Sequence, residues 1–302
     1  MPLRHALLAA MVATIWGFNF VVITWGMHDT PPLLFAAIRF LLVVVPAIAV
    51  VPRPEAPWRV VLGVGAFMSL GQFSLLYLAI GAGMPSGIAA LVLQAQIVFT
   101  IGLSAWRLGE TPTRPQVAGV TLGALGLVIV ALGRGGDTTV GGLLLTLLAA
   151  LSWGIGNVIS RSSGVKGGLS LVVWGSLAVP LPMLGLALVV DGPSAVVDAL
   201  VSFDARAAAS TLYTVVLATL VGYAIFNSLL ARYPSAQVVP FVLIAPIAAA
   251  ASGWALLGQR LSLGELAGGA VALAGLAVTM APANRPWRRS RVLAWTPEPS
   301  MR

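Results

Sequence analysis

The chain is a succession of apolar runs, each about as long as one membrane crossing, and no other feature constrains its fold as much. The runs fall at about 5–26, 32–51, 60–80, 85–106, 115–132, 139–160, 168–190, 207–230, 235–257 and 263–281. About 20 helical residues at about 1.5 Å each cover a hydrocarbon core of about 30 Å, so each run is one expected helix. Composition agrees: 59% of the 302 residues are hydrophobic and 9% are charged, where a soluble domain carries about 25% charged residues. The breaks, such as PRPEAPWR, RLGETPTRP and GQRLSLGE, hold most of the charge together with Pro and Gly, which end helices. The expected fold is an all-α polytopic membrane protein with ten transmembrane helices. The N-terminal MPLRHALLAAMVAT has the make-up of a signal peptide, but its apolar run continues to about Gly26, which suits a retained first span.

Charge distribution sets an expected orientation. With the N-terminus inside, the cytoplasmic breaks carry Arg4, Arg53, Arg59, Arg107, Arg114, Arg161, Lys166, Arg232 and a tail with Arg285, Arg288, Arg289, Arg291 and Arg302. The opposite side carries Arg134, Arg206 and Arg260. This bias places both termini in the cytoplasm. It also accounts for the net charge of +8 without nucleic acid, because the basic residues are dispersed at the ends of apolar runs. The tail 282–302 is expected to lie on anionic lipid of the inner leaflet or to be solvated.

The sequence repeats itself. SAWRLGETPTRPQVAGVTLGALGLVIV (104–130) aligns with SGWALLGQRLSLGELAGGAVALAGLAV (252–278), about 149 residues later, and Pro85-Ser86 matches Pro234-Ser235 in the same register. Ala13-Thr14-Ile15-Trp16-Gly17 resembles Ala150-Leu151-Ser152-Trp153-Gly154 at a displacement of 137; the difference of 12 predicts an insertion in the longer loop 191–206. Five spans per copy is an odd number, so the second copy enters the membrane from the opposite side. The expected units are 1–134 and 138–281, two inverted five-helix repeats, followed by the basic tail. Such repeats rock about a site near the midplane in secondary transporters.

Polar residues at membrane depth need protein partners or a wet cavity. In 84–110, Gln96, Thr100 and Ser104 recur every four residues and share a face, while Gln94 lies about 200° around the helix from Gln96. This stripe either lines a pathway or ties helices together. Arg39 sits deep in the second span, where insertion costs about 2.5–3.5 kcal/mol. Its planar fork suits a substrate carboxylate; a tie to carbonyls, Asn19 or Gln96, or snorkelling, serves equally. Thr219, Tyr223 and Asn227 step along the eighth span and Trp153, Asn157 and Arg161 along the sixth; Gln72 and Tyr77 belong to the third. Trp16, Trp153 and Trp174 either wall a cavity or pack. Gly119/Gly123 and Gly264/Gly268 form small-xxx-small pairs suited to close packing, and Pro46, Pro180, Pro182, Pro240 and Pro246 are expected kinks.

Absences narrow the chemistry. The chain has no cysteine and only His5 and His28, so neither thiolate chemistry nor a Cys/His metal cluster is available. It has no phosphate-binding Gly-rich loop with Lys, and no cofactor is expected. The acidic residues, Glu110, Asp29, Asp137, the aspartates of 191–204 and Glu265 among them, fall in loops or at span ends, which leaves no intramembrane proton relay. Facilitated movement or exchange is expected, with coupling through Glu110 or the substrate as an alternative. No acid–nucleophile set at membrane depth suggests an enzyme. The oligomeric state stays open, a monomer included.

WGFNFVVI (16–23), PPLLFAAIRF (31–40), GMPSGIAALVLQAQIVFTI (83–101), WGIGN (153–157), ATLVGY (218–223) and LARY (230–233) resemble the drug/metabolite transporter superfamily, and within it the EamA-type amino-acid metabolite exporters. The likeness covers about residues 5–280. It implies ten helices in two inverted repeats, a cytoplasmic-membrane location and efflux of small amino acids or derivatives such as cysteine and O-acetylserine. It also implies a cavity lined from six spans, which here supply Trp16, Asn19, Gln72, Gln94, Gln96, Asn157 and Tyr223; the residue reading adds Arg39, Thr100 and Trp153. The partners expected are a small-molecule substrate and the lipid bilayer. Two positions depart from the family: Gly258-Gln259-Arg260 replaces an acidic turn, and Thr24 stands where a relative has Lys. They bear on coupling and substrate rather than fold. Another substrate class of the superfamily (sugar, nucleobase or cationic drug) and a non-transporting membrane scaffold are the competing readings.

Overall fold

A computed structural model describes residues 1–135, 138–164 and 168–281. Asp137, Lys166 and the basic tail from 282 lie outside the described residues. The described chain is helical. Its elements are α1 (Leu3–Gly26), α2 (Pro32–Val50), α3 (58–81), α4 (86–108), α5 (Arg114–Leu132), α6 (Val140–Ser162), α7 (168–190), α8 (Pro193–Val201), α9 (205–232), α10 (235–257) and α11 (Leu263–Thr279). Eight of these are long and apolar enough to cross a bilayer, or nine when α7, bent by 42° at Pro180, is taken as one span. The remaining apolar helix, α11, has 17 residues, about 26 Å at about 1.5 Å per residue, the short end of what spans. The length criterion therefore reaches nine of the ten expected spans. The expected insertion is α8, whose Val196 and Ala199 pack on Leu33 and Leu34 of α2 and Ala187 of α7.

The two halves correspond in structural detail. Helix α4 ends in left-handed Gly109 and α10 in left-handed Gly258, both at φ 65°, where a side chain would be strained. Thr113 with Gln116 caps α5 in a reciprocal box, and Ser262 with Glu265 caps α11 in the same way. All three pairs are 149 residues apart.

The irregularities are duplicated too. A π-helical stretch runs Gly65–Gly71 in α3 and Tyr213–Val221 in α9. Helix α4 breaks at Gln94, between Ser86–Leu93 and Ala95–Leu108, and α10 passes through a 3₁₀ segment (Val239–Leu243) before Ile244–Leu257. Irregular backbone at membrane depth persists only where protein or a cavity satisfies it. Gly65 and Gly71 bound the π stretch in α3 and Gly222 follows the one in α9, but the repeat counterparts of Gly65 and Gly71 are Thr214 and Leu220, so no glycine shared by the two halves causes it.

Helices α5 and α11 join the halves. A Cβ on Gly119 would stand 2.5 Å from the Gly275 carbonyl, and one on Gly126 would stand 2.7 Å from that of Gly268. In repeat numbering Gly268 is the counterpart of Gly119, and Gly275 that of Gly126. The contact is thus self-complementary and antiparallel, as a two-fold axis requires. Helix α1 meets α10 where Gly17 lies against the Ala245 carbonyl and Ala248, and α6 meets α4 where Gly154 lies against the Gln96 carbonyl and Phe99, the matching positions. Gly126→Val should force α5 from α11 and cost about 1–3 kcal/mol, seen as a lower Tm in detergent. Gly102→Ala, whose Cβ meets nothing within 4 Å, should leave Tm unchanged or raised.

Candidate functional site

The π stretch of α9 is where polar groups of the first repeat meet the second. Because π winding closes on the fifth residue, Thr219 Oγ1 donates to the Thr214 carbonyl at 2.8 Å. Thr214 Oγ1 in turn donates to Asn19 Oδ1 at 2.7 Å, and Trp16 Nε1 donates to the Ala218 carbonyl at 2.8 Å. The Trp16 ring lies 5.2 Å from that of Tyr223 and 5.0 Å from that of Phe226. Gly222 makes room for it, since a Cβ there would stand 2.8 Å from Trp16 Nε1. Tyr223 keeps 40% of its surface accessible.

Arg39 reaches the same segment from α2. One terminal nitrogen donates to Tyr77 Oη of α3 at 3.0 Å; the other approaches Thr219 Oγ1 at 3.5 Å. The guanidinium carbon lies 4.6 Å from the Phe73 ring centroid and 5.4 Å from that of Phe40, and the residue is 7% exposed. Among the described residues no carboxylate pairs with it. A desolvated cation over an aromatic face gains about 2 kcal/mol, close to the insertion cost. Arg39 is therefore held in place without a counter-ion, and three of its five N–H groups make no hydrogen bond to a described residue. The partners are Tyr77 and Thr219, not the Asn19 and Gln96 considered from the sequence. Asn19 is bound to Thr214 and Gln96 to Asn157.

A second cluster joins α4 to α6. Asn157 Nδ2 donates to Gln96 Oε1 at 2.9 Å and to Thr100 Oγ1 at 3.1 Å, while Thr100 Oγ1 donates to the Gln96 carbonyl at 2.6 Å. Gly154 lets α6 approach the Gln96 backbone; Trp153 beside it packs on the main core. Gln94 occupies a different wall, as the helical angle requires. It lines a cleft of about 20 Å³ between α4, α5 and α11, room for one water molecule. Gln72, just past the π stretch of α3, is buried and makes no hydrogen bond to a described side chain. Ser104 continues the Gln96 face, but its buried Oγ has no partner among the described residues. Trp174 stands apart from these clusters and donates to the Val51 carbonyl at 3.0 Å.

The structure thus gathers Trp16, Asn19, Arg39 and Tyr223 around one segment, and Gln96, Thr100 and Asn157 around another; Gln94 joins neither. Sequence periodicity missed Thr214, Phe73 and the tie from Thr214 to Asn19. A step of five residues between Thr214 and Thr219 carries no signal at a helical period of 3.6.

Three comparisons bear on this arrangement. The EamA-like transporter family matches residues 3–132 and 140–281, one match for each half. A Salmonella typhimurium LT2 protein is 41% identical over 286 residues, covering 93% of this chain and 96% of its own; it is named a probable amino-acid metabolite efflux pump.

The chain belongs to the EamA-like transporter family.

An Escherichia coli K12 protein of the same name is 38% identical over the same shares of both chains. A crystal structure with 20% identity and a TM-score of 0.61 covers 92% of this chain and 96% of that one, a likeness in fold. This EamA-like protein is a multi-pass membrane transporter rather than an enzyme. In it, Gln96→Leu should remove one hydrogen bond worth about 0.5–1.5 kcal/mol, leave membrane insertion near normal and weaken transport. Normal transport with a lowered Tm would instead assign Gln96 to helix packing.

Proposed function

We propose that this transporter exports small amino acids or their metabolites, of the cysteine and O-acetylserine kind, across the bacterial inner membrane from the cytoplasm. Both termini are cytoplasmic, as the distribution of Lys and Arg favours. The two inverted repeats work by alternating access. Residues of the two polar clusters, with Gln72, Gln94 and Trp153, contact the substrate along the pathway.

The observation that carries this reading is Arg39: a buried cation between the repeats, positioned by neutral groups and free of any carboxylate partner among the described residues. A fork of that kind binds the α-carboxylate of an amino acid bidentately. The names of the two bacterial relatives point to the same substrate class.

Proton coupling through a midplane acid has no candidate among the described residues. Glu265, the fully buried acid, caps its own helix: it accepts from Thr138 Oγ1 at 2.5 Å and from the Ser262 amide at 2.7 Å. Transport therefore runs by facilitated movement or exchange.

Reconstituted vesicles loaded with labelled cysteine or O-acetylserine should show saturable efflux that a proton gradient leaves unchanged. Gradient-driven efflux would move coupling to Glu110 or to the substrate, and no efflux of either compound would reject the substrate class. Arg39→Leu should lower efflux more than Arg39→Lys, which keeps the charge but loses the fork. Equal, near-native rates for both variants would remove Arg39 from substrate binding.

A further inference from the structure

The repeat correspondence shows that the two ends of the bundle are in different states. At one end, Ser86, the first residue of α4, is fully buried. Its amide donates to Gln259 Oε1 at 2.9 Å, and its hydroxyl lies 3.1 Å from Thr24 Oγ1 of α1. Close backbone approach seals this end: a Cβ on Gly87 would stand 2.6 Å from Ala250 Cα, and one on Gly253 would stand 2.5 Å from Gln259 Oε1. The segment 86–93 is wedged between α1 and α10.

The positions that match Gln259 and Thr24 at the other end are Glu110 and Arg161, at displacements of 149 and 137. There the arrangement is different. Glu110 turns to Arg161, Nε to Oε1 at 3.0 Å, with the two side chains 22% and 43% exposed. The matching segment 235–243 lies along α1, α9, α11 and the remainder of α10, with no wedge between α4 and α6. Ser104 is the counterpart of Gly253, which lies beneath Gln259 at the sealed end. Ser104 is 2% exposed, and its hydroxyl has no hydrogen-bond partner among the described residues. Ser104 has the Cβ that Gly253 lacks, so a carboxylate swung in from Glu110 would stop short of the place Gln259 takes over Gly253, within reach of the Ser104 hydroxyl, and would supply that partner.

We propose that Thr24, Ser86 and Gln259 form a shut gate at one membrane face, and that Glu110 belongs to the parted mirror gate at the other. When the first gate opens, Glu110 leaves Arg161, folds over Ser104 and receives the first amide of α10, as Gln259 now receives that of Ser86. The proposal rests on the alternating-access reading above and adds the residues that gate each face. In the proposed orientation the shut gate is the outer one, and this structure opens to the cytoplasm.

The natural chain has no cysteine, so a T24C/S86C double variant reads the shut gate directly. Oxidation should link the pair in the resting protein. Adding Gln259→Leu, which orphans a buried amide, should slow linking by about tenfold. Gln259→Glu keeps an acceptor and should restore it. A pair that does not link, or links at one rate in all three backgrounds, overturns the gate. The linked protein should lose at least about tenfold in efflux of labelled O-acetylserine, which has no thiol to exchange with the link, and recover on reduction, each tenfold being about 1.4 kcal/mol; efflux that survives linking also overturns it. If the unlinked variant moves neither compound while linking still depends on Gln259, the gate stands and the substrate reading fails.

Discussion

The close crossing of α5 and α11 is the contact on which the architecture turns. In lipid the hydrophobic effect offers no drive between helices, so association depends on how near two backbones can come. Gly119, Gly126, Gly268 and Gly275 bring the helices to where any Cβ would meet a carbonyl. Because the contact is self-complementary and antiparallel, it fixes the second repeat as the inverted image of the first. The other matched contacts, Gly17 on Ala245 and Gly154 on Gln96, follow from that axis.

On this symmetrical frame the polar site is built from departures. Gln96 and Thr100 correspond to Ala245 and Ala249, Asn157 to Phe20, Asn19 to Gly156 and Gln72 to Val221; Trp16 and Trp153 alone keep their identity. Arg39 corresponds to Ser176, which bonds Ser69 of the first π stretch at 2.8 Å, much as Arg39 meets Thr219 in the second. The frame needs equivalent backbones, whereas the polar side chains set on it need not match. The repeats therefore share glycines, caps and helix breaks, and differ in amides and charge. The two ends differ likewise: neutral Gln259 and Thr24 at the sealed end, charged Glu110 and Arg161 at the other.

Much of this was legible in the sequence. The repeat offset of 149 returns in paired caps and paired left-handed glycines, because caps and turns are set by the few residues beside them. The opposed walls of Gln94 and Gln96 follow from helical angle alone. The small-xxx-small pairs marked the right helices: a Cβ on Gly119, Gly264 or Gly268 would meet the facing backbone, one on Gly123 would not, and Gly126 and Gly275, seven residues beyond Gly119 and Gly268, complete the contact. The π stretches left no trace, since their sequences differ while their packing is shared, and with them went the role of Thr214. A length criterion also stops short of ten spans, because α7 bends and α11 has 17 residues.

The sequence by itself determined that the chain crosses a membrane many times, that it repeats in inverted halves and which polar residues enter the apolar zone. These are properties of hydropathy, parity and spacing along one chain. Tertiary structure alone decided which of those residues meet. Arg39 finds Tyr77 and Thr219 at separations of 38 and 180 residues, and Asn157 finds Gln96 at 61. Such partners depend on how helices rotate and cross, and that is set by close packing across the whole bundle rather than by any local stretch.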